Sequence, residues 1–146
     1  MYLTVPDADD YFDSRLENDV WLDADDNQKE RAIITAGKYI DRLNFAGDVA
    51  ATGQEHQFPR GDDTTIPDDV KEACCELAYA LLDGIDPELE IENLSMTAQG
   101  FGNVRTTYDR TDKPVHILAG IVSVTAWRLL LPYLRDNRSV NLCRVN

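Results

Sequence analysis

A mainly α-helical fold is predicted for this chain: a small bundle of about four helices with a long loop, a short β-hairpin and an extended C-terminal tail. Three features carry that expectation. Apolar residues recur at three- and four-residue intervals through much of residues 7–43, 66–82 and 114–133. Prolines and acids stand where those stretches begin, and Gly or Asn follows the first two where they stop. Only residues 92–108 switch to a two-residue alternation. The 146 residues suffice for one domain with a real core, taken as residues 1–135, with 136–146 as a tail or docking arm.

The first helix is expected from Asp7, as N-cap, to about Asp19, with Ala8, Tyr11, Phe12, Arg15 and Leu16 at helical spacing. A second runs from about Asp25 to Leu43. There Ala32, Ile33, Ala36, Tyr39, Ile40 and Leu43 form one apolar stripe, and Asn44 to Gly47 supply the stop. Residues 47–65 are polar and rich in Gly and Pro, so they form a loop long enough to be functional or an interface arm. The best-marked helix begins at Ile66-Pro67-Asp68-Asp69, with proline at its first position and two acids complementing the helix dipole. Val70, Ala73, Cys74, Leu77, Ala78 and Leu81 then make a broad core stripe ending before Gly84. Gly100-Phe101-Gly102 sits between two short strands. A final helix opens at Pro114 and carries Val115, Leu118, Val122, Ala126, Leu129 and Tyr133, with Pro132 disturbing its last turn. The expected core stripes therefore include Ile33, Ile40, Val70, Cys74, Leu77, Leu81, Leu118, Val122 and Leu129.

Composition narrows the function. Acids number 27 against 14 bases, a formal charge of −13 that argues against generic clinging to DNA. The charge is uneven: residues 1–90 hold 23 acids and 7 bases, residues 91–146 hold 4 and 7. Either these are two solvated faces of one monomer, or unlike patches on neighbouring copies set the register of a head-to-tail ring. No apolar run approaches the roughly 18 to 20 residues of a membrane span, and no signal sequence opens the chain, so a cytoplasmic origin without membrane attachment is expected. Cys74, Cys75 and Cys143 form no disulfide framework and no zinc spacing.

Chemistry-bearing groups do not converge. His56 and His116 lack neighbours at ligand spacing. Cys74 lies among Asp69, Glu72 and Glu76, which oppose a thiolate. The run Asp23-Ala24-Asp25-Asp26-Asn27 begins like a calcium loop, but Gln28 stands where glycine is needed and Ile34 where a bidentate glutamate is needed. Gly100-Phe101-Gly102 lacks the helix and the Lys-Ser/Thr pair of a phosphate loop. No enzyme activity, metal or cofactor is expected.

An ordered set of segments resembles a known family. Trp21, Lys29, Ala36 and Ile40-Asp41 are followed by Gln57-Phe58-Pro59-Arg60, then by Ile66-Pro67, Val70, Ala73, Glu76-Leu77-Ala78 and Leu81-Leu82. Gly102-Asn103-Val104, Tyr108 and Leu131-Pro132-Tyr133-Leu134 complete it, across about 110 residues. Together they resemble the head-to-tail connector (adaptor, head-completion) proteins of tailed bacteriophages, some of which carry a DnaT-like single-strand DNA-binding label. The resemblance implies a structural virion protein, assembled in the host bacterial cytoplasm. It would form a homo-oligomeric ring, commonly of about twelve copies, beneath the portal protein and would receive the next neck or tail protein. Genomic DNA would pass through its channel without specific binding.

The resemblance also suggests contact residues. Phe58, Pro59 and Arg60 either dock the loop on an adjacent helix, with Arg60 pairing an acid such as Glu76, or anchor the loop within its own chain. Trp21 is either a lid on the core or an interface anchor. Val104 and Tyr108 either extend a neighbour's sheet or face the portal, or else cover the subunit's own helices. Arg135, Arg138 and Arg144 make the tail basic, suited to an acidic partner or to solvent. Two other classes compete: a single-stranded DNA-binding or replication accessory protein, which needs a basic groove with stacking rings, and a small acidic mimic of DNA.

Overall fold

The computed structural model describes residues 1–96, 98–107 and 113–135. It is mainly helical. Helix α1 (Val5–Asp13) starts at Thr4, not Asp7. Thr4 Oγ1 accepts from Asp7 N, while Thr4 N donates to the Asp7 carboxylate at 2.9 Å, so Asp7 closes a capping box from the third helical position. The Thr4 hydroxyl also donates to this carboxylate at 2.6 Å, and these hydroxyl and backbone donations from Thr4 hold the Asp7 carboxyl below its usual range. The helix stops at Asp13, short of the expected Asp19. Ser14 Oγ donates to Tyr11 O at 2.8 Å and Asn18 Nδ2 to Phe12 O at 3.0 Å, capturing carbonyls that another turn would have used. Leu16 is left 98% exposed.

The short helix α2 (Asp19–Asp23), absent from the sequence reading, delivers Trp21 to the core. Trp21 is fully buried and stacks on Phe12 with ring centroids 4.5 Å apart. Its indole donates to Asp9 Oδ1 at 2.8 Å, and Lys29 Nζ reaches the same oxygen at 3.0 Å. Trp21 is therefore part of the core.

Helix α3 (Asp26–Asp41) opens on a capping box between Asp25 and Gln28. Helix α4 (Asp68–Leu82) has Pro67 as its N-cap, one residue before the expected helical position. Helix α4 packs on both α3 and α7 (Val124–Leu130). Small residues, Ala73, Cys74, Cys75, Ala78 and Ala80, allow close approach on several sides, and all are buried. Ile33, Ile40, Val70, Cys74 and Leu77 are fully buried, as the stripes require, while Leu81, Val122 and Leu129 pack half-buried against them. Glu76 is buried as well. Arg15 Nε lies 3.0 Å from Glu76 Oε1, Tyr11 donates to the same oxygen at 2.7 Å, and the Arg15 guanidinium lies 4.2 Å from the Tyr79 ring centroid. This network ties α1 to α4.

Helix α5 (Pro87–Asn93) also escaped the periodicity, being only two turns long; Asp86 caps it by accepting from Glu88 N at 2.9 Å. Strands β1 (Ala98–Phe101) and β2 (Val104–Thr107) pair antiparallel, with Phe101 opposite Val104 across Gly102-Asn103. The expected single helix from Pro114 is broken. Helix α6 (Val115–Leu118) ends in a Schellman turn in which Ile121 N donates to His116 O at 2.8 Å and Gly120 N to Ile117 O at 2.9 Å. Gly120 takes the left-handed conformation this requires, φ +79°, and Ser123 restarts the chain as N-cap of α7. The break turns Leu118 outward, half exposed, so it leaves the predicted core stripe. A 3-10 turn, Leu131–Tyr133, follows around Pro132. Leu134 then bridges to Phe45, with Arg135 N donating to Asn44 O at 3.0 Å. Among the described residues no helix is long and apolar enough to cross a membrane.

Two substitutions test this packing. A Cβ at position 120 would meet Tyr39 Cδ1 at 3.0 Å in a conformation L-residues avoid, so Gly120→Ala should cost about 1–2 kcal/mol, read as a lower urea midpoint at unchanged slope; an unmoved midpoint would refute the role given to Gly120. Arg15→Ala leaves Glu76 buried without its cation. Because Arg15 is itself about a quarter exposed, the loss should be about 2 kcal/mol, below that for a fully buried pair. Adding Glu76→Gln should recover part of it, and a simply additive double variant would show that the pair is not coupled.

Candidate functional site

The long loop, read from its residues upward, is a knot tied to itself and to α3. Asp41, at the last turn of α3, accepts from Gln57 N at 2.9 Å and from the Tyr2 hydroxyl, and His56 Nδ1 lies 2.8 Å from its other oxygen. Burial, then the Asp41 hydrogen bond, pushes the Tyr2 hydroxyl's pKa far upward. Phe58 follows, 3% exposed. Its ring meets Phe45 edge-on at 4.7 Å and Tyr133 at 5.5 Å, so the loop's apolar tip points inward. The Phe58-Pro59 peptide is cis.

Arg60 closes the knot. Its guanidinium donates to Ala46 O at 2.9 Å, Gln57 O at 3.1 Å and Gln57 Oε1 at 2.9 Å, and also to Gly47 O. Gln54 Nε2 adds bonds to His56 O at 2.7 Å and Pro59 O at 2.9 Å. The expected pairing of Arg60 with Glu76 does not occur. Glu76 is taken by Arg15, and Arg60 satisfies the carbonyls of a turn that has no helix or sheet to do so. Phe58, Pro59 and Arg60 thus anchor their own chain.

Between this knot and α3 lies a cleft of about 400 Å³, lined by Ile33, Ile34, Gly37, Lys38, Glu55 and the His56–Asp41 pair. Asp41 orients the imidazole, an arrangement that could serve proton transfer, but both its oxygens are already engaged in holding Tyr2, His56 and Gln57. Among the described residues no group of three His, Cys, Asp or Glu side chains is placed to hold a metal ion. Cys74 donates to Ile33 O at 3.6 Å, and burial pushes its thiol up to about 12. Through these contacts the groups tie Tyr2 and the loop to α3, and α4 to α3.

The exterior is different. Leu16, Leu22, Leu89, Val115, Leu118, Val124 and Leu131 are exposed, whereas none of the aromatic rings whose exposure is described is. Arg135 is exposed at the end of the described chain. Val104 lies in β2; Tyr108, Arg138 and Arg144 lie outside the described residues. The exposed aliphatic residues escaped the sequence reading because helical spacing alone does not tell a core stripe from an outward one. The available signals were Gly120, which interrupts the last helix, and the acids Asp13, Glu17, Asp19 and Asp23 near Leu16 and Leu22.

No curated protein and no solved structure matches the chain. One family does, over residues 1–145. With the match covering nearly the whole sequence, the chain belongs to the family described as "Putative DnaT-like ssDNA binding protein".

Proposed function

We propose that this chain is a non-enzymatic structural subunit of the tailed-phage neck, a head-to-tail connector. In this reading copies form a ring beneath the portal, extend the DNA channel and receive the next neck or tail protein. The observation that supports it best is the inversion of side-chain use on the surface: no aromatic ring whose exposure is described is exposed, while leucines and valines stand in water on several elements. Exposed apolar groups beside charges are what a protein–protein contact covers. The surplus of acid suits a channel wall that repels phosphate.

The second reading, a single-stranded DNA-binding or replication accessory protein, is favoured by the family's description. It calls for a basic groove with rings on which bases can stack. Several cations are otherwise engaged: Arg15 with Glu76, Lys29 with Asp9, and Arg60 on loop carbonyls.

A titration separates the two. Fluorescence anisotropy of a labelled thymidine oligonucleotide should show no saturable binding by the full chain near physiological ionic strength and only weak, salt-labile binding below it. Saturable binding whose log K falls steeply with log salt, abolished by replacing exposed arginines, would establish the second reading instead.

A further inference from the structure

Two exposed surfaces of this chain are complementary to each other. Residues 113–135 contain Lys113, Arg128 and Arg135 and no acid. Val124, Arg128 and Leu131 recur at four- and three-residue spacing and are exposed, while Ala126 and Leu130 between them are fully buried. They form one outward stripe on α7, and Arg135, also exposed, lies just past the 3-10 turn that follows it. Val115 and Leu118 on α6 add exposed aliphatic surface. The result is apolar and basic.

The connection from α1 to α2 has the opposite sign. Leu16 is 98% and Leu22 59% exposed, and they sit among the exposed carboxylates of Asp13, Glu17, Asp19 and Asp23. The only cation in this stretch, Arg15, is bound to Glu76. A leucine standing almost wholly in water, in a segment held by side-chain hydrogen bonds from Ser14 and Asn18, is apolar surface that the fold presents and does not cover. Among the described residues neither Arg128 nor Arg135 makes an ion pair.

We propose that the α7 stripe of one copy docks on the α1–α2 corner of a second copy of this chain. The leucines and valines supply buried area. Arg128 and Arg135, set against Glu17 and Asp19, supply orientation and exclude the like-charged pairings of stripe with stripe and corner with corner. Because the two halves of the contact differ, each docked pair keeps one free stripe and one free corner. The contact is heterologous, and repetition closes a ring when the rotation permits. This rests on the assembly reading above and adds to it the surfaces that join neighbours.

The test uses the full chain and two charge reversals at exposed positions, Arg128→Glu with Arg135→Glu on the stripe and Glu17→Lys with Asp19→Lys on the corner. Circular dichroism confirms that each variant keeps the helical fold. In sedimentation velocity the unaltered chain should associate with rising concentration, and each variant alone should associate at least about tenfold more weakly. Mixed together, the two variants should re-associate, with native mass spectrometry showing alternating 1:1 species. Association of the unaltered chain that neither reversal weakens, or a mixture that does not recover, overturns these docking surfaces and leaves the neck role standing. An unaltered chain that stays monomeric up to about 1 mM also overturns them. The neck role is decided separately, by whether the chain is found in phage particles.

Discussion

The enclosure of α4 is the constraint on which the rest of the structure depends. It is buried from Val70 to Ala80 with few gaps, and one of its enclosed residues is the charged Glu76. A helix buried on several sides needs partners on several sides, so α3 and α7 must both pack against it. A charge inside needs a countercharge, so α1 must bring Arg15 and Tyr11 to Glu76. Trp21 and Phe12 then fill the space beside that network, with Asp9 receiving both the indole and Lys29. Burial alone would raise the Asp9 carboxyl's pKa, but the hydrogen bonds from Trp21 and Lys29 and the Lys29 charge bring it below its usual range.

Once one helix takes the centre of so short a chain, α1, α2, α3 and α7 form a thin shell around it. Such a shell has little apolar material to spare and much surface to cover. The long loop meets this demand by folding Phe58 inward between Phe45 and Tyr133 and by using Arg60 to satisfy its own carbonyls. The segment that most resembles a docking arm in sequence is therefore a seal on one end of the core. In the proposed assembly the contact surfaces come from elsewhere, from the outward leucines and valines of the α1–α2 corner and of α6–α7.

The parts legible in the sequence are those decided by local periodicity and caps. Helices α3 and α4 follow from Asp25, Pro67 and two clear stripes, with ends within a residue or two of expectation. What escaped was decided by tertiary geometry. Leu16 keeps helical spacing with Phe12, yet Asn18 takes Phe12's carbonyl and ends the helix first. The spacing of Leu118 with Val122 presumes a straight helix that Gly120 interrupts. Arg60 and Glu76 are plausible partners by charge, but only the fold shows that Arg15 stands between Tyr79 and Glu76. Helices α2 and α5 are too short for a 3.6-residue period to stand out.

The family's description speaks of single-stranded DNA, while the exposed leucines and valines support the assembly reading we propose. Location decides between them more directly than any affinity. The most direct measurement is peptide mass spectrometry of purified phage particles joined to a reconstruction of their neck. A connector should be present in stoichiometric copies, with helical density fitting α3, α4 and α7 in a ring against the portal. Intact, infectious particles without the chain, together with its recovery on single-stranded DNA in infected cells, would contradict that reading.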